Sequence, residues 1–136
     1  MVLYVNRVSV PAGTARSAAV EVDVRVEERF VSEAAVFFPA GVNGEVFVEL
    51  VAGERRLFPA QEGDPAVGVG SVGPAGVRET LPGAPNVVTW RAWAPDADFP
   101  HTVVGRVEVE DPGSGAWRGR LSEFFGGGGG RVPDPG

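Results

Sequence analysis

Val20-Glu-Val-Asp-Val-Arg-Val-Glu27 carries valine at every second position and a charge at every position between. A period of two is the repeat of a β-strand, whose side chains point alternately to its two faces. One face of this strand is therefore apolar and the other wet. Glu45-Val-Phe-Val-Glu-Leu-Val51 and Arg106-Val-Glu-Val-Glu110 repeat the pattern more loosely. The chain reads as all-β, with one wet face per sheet.

Outward from that stretch, Val2 to Val10 reads as a first strand, stopped by Pro11-Ala-Gly13. The second strand covers Ser17 to Glu28, and the third covers Glu33 to Phe38. Asn43-Gly44 is a turn signal, because both residues tolerate positive φ. Glu45 to Val51 and Glu54 to Phe58 follow as strands on either side of Ala52-Gly53. Gln61 to Gly76 reads as a Gly/Pro-rich connection, with a short strand at Val77 to Leu81. Asn86 to Ala94, His101 to Asp111 and Ala116 to Leu121 complete the set. No stretch holds a helical period. The pattern predicts an all-β fold over residues 1–121, a single antiparallel β-sandwich or jelly roll of about eight strands. A closed barrel is the alternative. Residues 122–136 differ in kind. Gly126 to Gly130 cannot form a strand or helix at tolerable entropic cost, so this segment reads as a Gly-rich C-terminal arm.

The 136 residues are enough to bury a core without metal or disulfide help, and the sequence contains no cysteine. All twelve basic residues are arginine, and the net charge is −6. An acidic chain repels a phosphate backbone, which argues against nucleic acid as a partner. Met1-Val-Leu-Tyr-Val-Asn-Arg7 lacks the basic start and apolar core of a signal peptide. No apolar run approaches the roughly 20 residues that span a bilayer, so no membrane is expected.

Candidate chemistry is sparse. Gly68-Val-Gly-Ser-Val-Gly73 matches G-x-G-x-x-G, but no strand–helix context surrounds it, so it reads as a loop. His101 is the only histidine, and with Asp96 and Asp98 it supplies too few ligands for a recognisable metal site. The carboxylates alternate with valine and read as a solvated face rather than a catalytic pair. No nucleophile has a base in its context, so no catalytic residue, cofactor or metal is assigned. Trp117-Arg-Gly-Arg120 is an isolated basic aromatic stretch in an acidic chain. Trp93 and Trp117 are candidates for an exposed aromatic platform that stacks on sugar. Trp90 and Trp93 differ by three positions, so a regular strand points them to opposite faces and buries at most one. Phe124 and Phe125 would be costly in water. They either close the core or dock on a neighbouring subunit, with Arg131 and Val132 of the arm reaching further.

Val8-Ser-Val-Pro-Ala-Gly-Thr14, Val36-Phe-Phe-Pro-Ala-Gly41, Arg56-Leu-Phe-Pro59 and Phe99-Pro-His-Thr-Val-Val-Gly-Arg-Val107 together form a strand-and-turn pattern. Over residues 3–110 it resembles small β-sandwich proteins encoded among the structural genes of tailed bacterial and archaeal viruses. The resemblance implies a virion component assembled in the host cytoplasm, and it brings no active-site residue with it. The expectation is a non-enzymatic capsid decoration or cement protein, a homo-oligomer such as a trimer, held by its sandwich surface and terminal arm. The competing expectation is a carbohydrate- or receptor-binding module of a tail fibre or an enzyme.

Overall fold

The computed structural model describes residues 1–59, 64–81 and 86–110. Among the described residues eight strands run in chain order: β1 (Val2–Val10), β2 (Val20–Val26), β3 (Phe30–Phe38), β4 (Phe47–Ala52), β5 (Arg55–Phe58), β6 (Gly70–Thr80), β7 (Asn86–Trp93) and β8 (His101–Glu110). A 3-10 turn, Arg16–Ala18, precedes β2. The strands form two four-stranded antiparallel sheets, ordered β1-β8-β3-β6 and β2-β7-β4-β5. Strand pairs β4·β5, β3·β6, β2·β7 and β1·β8 are all hydrogen-bonded. The chain is thus one long antiparallel hairpin, with β4·β5 at its tip, rolled up so that its pairs fall alternately into two sheets. This is the jelly-roll form of the β-sandwich.

Alternation decides what faces inward. Val24 and Val26 of β2, Val46, Val48 and Leu50 in and before β4, and Val103, Val107 and Val109 of β8 are buried in one core. The turn expected at Asn43-Gly44 is present, with φ of 51° and 73°. Bulk is shared unequally between the sheets. Trp90 of the second sheet crosses the core, edge-on to Phe58, and lays its indole against Gly105 of the first sheet. A β-carbon at Gly105 would fall inside the van der Waals envelope of that ring.

The structure corrects several boundaries. β2 starts at Val20 rather than Ser17, and β3 starts at Phe30 rather than Glu33. The larger correction is β6. The Gly/Pro-rich stretch expected as a connection is a strand from Gly70 onward, and the G-x-G-x-x-G match lies partly within it. β6 survives its composition because it is an edge strand with two interruptions. Gly73-Pro74 faces Ala35 alone, and Val77-Arg78 faces Ser32 alone, which are two-against-one bulges. Gly73 (φ +92°) and Arg78 (φ +53°) supply the left-handed residues there. A β-carbon on Gly73 would approach the Ala34 carbonyl oxygen to 2.8 Å, so glycine is required. Proline and bulges suit an edge, where a ladder bond can be forgone and further pairing is discouraged.

The strand expected at Ala116 to Leu121 and the arm at 122–136 lie outside the described residues. So do Trp117, Phe124, Phe125, Arg131 and Val132. Among the described residues no helix is long and apolar enough to cross a membrane.

Candidate functional site

The outward faces of the two sheets differ, and each holds a candidate surface. On the second sheet the centre is Glu49. It alternates with the core residues Val48 and Leu50, so it points outward, yet it is only 4% exposed. Three guanidinium groups cover it. Arg91, its register partner on β7, donates to Oε1 at 2.8 Å. Arg56 of β5 approaches Oε2 to 3.5 Å, and Arg16 approaches the same oxygen to 4.0 Å. Arg91 also meets Glu21 of β2 at 3.2 Å. These side chains line an open concavity of about 1030 Å³.

The chain before β2 places Arg16. Gly13 takes a positive φ of 72°, and the Thr14 hydroxyl donates to the Pro11 carbonyl at 2.7 Å. This tight turn brings Thr14 alongside Ala94, whose N–H donates to the Thr14 carbonyl at 3.0 Å. The 3-10 turn then starts at Arg16 beside the end of β7. There the guanidinium lies over the Trp93 ring, 4.7 Å from its centroid. Phe47, the register partner of Trp93, stacks alongside with centroids 6.0 Å apart. Trp93 is therefore 4% exposed. The expectation that only one of Trp90 and Trp93 is buried is corrected. They do lie on opposite faces, but Phe47 and Arg16 cover the outer one. An open sugar-stacking platform at Trp93 is absent for the same reason.

Asp96, Asp98 and His101, too few in the sequence for a recognisable site, do not gather in the structure either. His101 Nε2 lies 3.5 Å from Glu45 Oε1, while Asp96 and Asp98 remain exposed. Among the described residues no three of His, Asp and Glu gather into a group that could hold a metal ion. The carboxylates do not form a uniformly solvated face either, because Glu49 and Glu110 are buried. Alternation assigns Glu49 outward correctly but says nothing of the guanidinium groups that close over it.

On the first sheet the outward residues are Leu3, Val5 and Arg7 of β1, Val104, Arg106 and Glu108 of β8, and Glu33, Ala35 and Phe37 of β3. Register sets them in rows: Leu3–Glu108–Glu33, Val5–Arg106–Ala35 and Arg7–Val104–Phe37. Leu3, Val5, Val104 and Phe37 thus make a diagonal apolar stripe. Leu3 is 51% exposed, Val5 56% and Phe37 47%. The stripe carries two arginines and two glutamates at its sides. Sequence reading missed it, because Val2-Leu-Tyr-Val5 and Val36-Phe-Phe38 are apolar runs in which neither face is marked by polarity.

No protein-family model matches this sequence, and no curated protein matches it either.

Proposed function

We propose that the protein is a non-enzymatic structural subunit of a virus particle, a decoration module that packs against a second copy of itself through the outer face of the first sheet. The observation that carries this reading is the stripe of Leu3, Val5 and Phe37, exposed side chains that the register gathers on one sheet face. Apolar side chains gathered on a flat sheet face gain free energy when a partner covers them, and such patches mark interaction sites. Charge selects the second copy as occupant. The chain carries −6 overall, so contact between two copies is repulsive on average. This face is instead locally neutral, with Arg7 and Arg106 against Glu33 and Glu108, so the general repulsion is relieved there.

The jelly roll is compatible with the setting, since capsid and lectin domains both use it, but a fold alone does not choose between them. The virion setting rests on the sequence resemblance. A trimer and a clasp by Phe124, Phe125, Arg131 and Val132 belong to the same proposal.

Light scattering on the full-length protein tests it. The expected mass is a small multiple of 14.2 kDa, falling to the monomer in Leu3→Asp/Phe37→Asp with the circular dichroism spectrum unchanged. A wild-type mass of one chain at every concentration refutes the proposal.

A further inference from the structure

We propose that β1 pairs edge to edge with β1 of a second copy, antiparallel about a two-fold axis at Asn6, so that the first sheet runs on through both copies. Four strands stand at sheet edges: β1 and β6 in the first sheet, β2 and β5 in the second. An edge strand offers unpaired N–H and C=O groups to any other strand, and proteins block such edges with proline, bulges, charge or brevity. β6 carries Pro74 and its two bulges. β5 is four residues long and begins with two arginines. β2 exposes a charge at every second position, Glu21, Asp23 and Arg25. β1 has none of these devices. Its nine residues include no proline, no glycine and one charge, Arg7, and its ladder to β8 runs unbroken from Val2–Val109 to Val10–His101. Among the described residues no strand pairs with its other edge.

Self-pairing suits β1 and does not suit β2. In an antiparallel pair, residues directly opposite share a face and touch. A two-fold register that uses the whole of β1 sets Asn6 opposite its own copy. Arg7 then meets Val5, Leu3 meets Ser9, Tyr4 meets Val8 and Val2 meets Val10, so no charge faces its like. The same operation on β2 sets Asp23 against Asp23, which is repulsive. Asn6 also has a need that the axis meets. Its side-chain oxygen is buried and has no hydrogen-bond partner among the described residues. An amide holds both donors and an acceptor, so asparagine can bond its own copy. Leaving a buried acceptor unpaired is costly, which favours the contact that satisfies it. On the outer face, Val5 of one copy becomes the diagonal neighbour of Val5 of the other, and the two apolar stripes join. Main-chain pairing of one short strand is weak alone, so the edge contact forms between copies that the stripe has gathered.

Cross-linking of the full-length protein tests the register. The chain has no cysteine, so one introduced thiol reports one position. Opposite residues of an antiparallel pair hold their β-carbons near disulfide distance. Under mild oxidation Asn6→Cys should form a covalent pair of twice 14.2 kDa. Ser9→Cys on the same strand should not, because in this register the two Ser9 positions lie six residues apart, about 20 Å. Asn6 is partly buried, so a combination of exposed sites guards against a folding defect. Val5→Cys mixed with Arg7→Cys should give the mixed disulfide in excess over either self-pair.

The identity of the occupant rests on the self-association proposed above, yet the two readings fail separately. A mass that falls in Leu3→Asp/Phe37→Asp, with no Asn6→Cys pair and no excess of the mixed disulfide, refutes the edge contact and leaves the stripe. A cross-link at Asn6, with a mass that the stripe substitutions do not change, supports the edge contact and refutes the stripe. Equal cross-linking of Asn6→Cys and Ser9→Cys reports random collision and overturns the proposal. So does hydrogen exchange in which no cross-link forms and every β1 amide is as slow as those of β8, because another segment of the chain then covers the edge.

Discussion

The two sheets are built on the same alternation and yet present opposite surfaces. The second sheet turns Glu21, Glu49 and Arg91 outward, and they lock into a network with Arg16 and Arg56. The first sheet turns Leu3, Val5, Val104 and Phe37 outward and leaves much of that surface to water. Inside, the roles reverse. The second sheet projects Trp90, and the first receives it on the bare backbone of Gly105. An alternating pattern therefore fixes which residues face out, but not whether the outer face is finished. The centre of the second sheet's outer face, around Glu49, is covered by its own ion pairs. The first sheet's is complete only when something covers it.

The inner contrast is tested by the largest expected effects. Trp90→Ala should cost about 3–5 kcal/mol, the range for emptying a fully buried aromatic site. Gly105→Ala should cost about 1–3 kcal/mol, because the methyl meets a ring that has nowhere to go. Urea unfolding followed by circular dichroism measures both. If Gly105→Ala is neutral, the indole does not rest on the first sheet and the division of bulk between the sheets is wrong.

The outer contrast predicts smaller changes, of different kinds. Glu49→Gln should cost about 1–2 kcal/mol. It removes charge-assisted hydrogen bonds, but its arginine partners are partly exposed and recover water. Added salt should narrow the gap between Glu49→Gln and wild type in urea unfolding. Val5→Asp should change monomer stability by no more than about 0.5 kcal/mol, as expected of an exposed site. Its effect should appear in the solution mass instead. A Val5→Asp protein that unfolds much more easily than wild type would show that the first sheet's outer face is already packed within one chain.

What the sequence made legible follows the same division. Val20 to Val26 announced strand, face and core together, because each charge between the valines marked water. β6 stayed hidden because Gly73-Pro74 and Gly76 speak locally for a loop. The strand holds through pairing with β3, a partner about forty residues away in the chain. The burial of Glu49 and Trp93 was equally illegible. Their covers come from Arg16, Arg56, Arg91 and Phe47, which only the rolled hairpin brings together. A motif search has no pattern for such a cluster, since its members share no spacing. The one signal available was the number of arginines in a chain with no lysine, and it does not say where they gather.

The smallest expected effect concerns the seams where the sheets meet. One seam, at β5 and β6, is joined by the ion pair of Arg55 and Glu79. At the other, Tyr4 of β1 donates its hydroxyl to Glu28, just beyond β2, at 2.9 Å. Burial, and then the hydrogen bond to Glu28, hold the Tyr4 phenol above its ordinary value near 10. The folded chain thus keeps this proton more tightly than the unfolded chain. The resulting stability is fully present below the unfolded pKa and is lost as pH rises through the folded one. Above that point a phenolate would face the Glu28 carboxylate. The composition isolates the event. Tyr4 is the only tyrosine, and the sequence has no lysine or cysteine, so little else titrates between about pH 9 and 11. Ultraviolet absorbance should place the Tyr4 titration above the free value, and the urea midpoint of wild type should fall across this range. Tyr4→Phe should hold its midpoint there, since it has no proton to lose. A parallel fall in both proteins would move the alkaline weakness away from the β1 seam and leave the two seams equivalent.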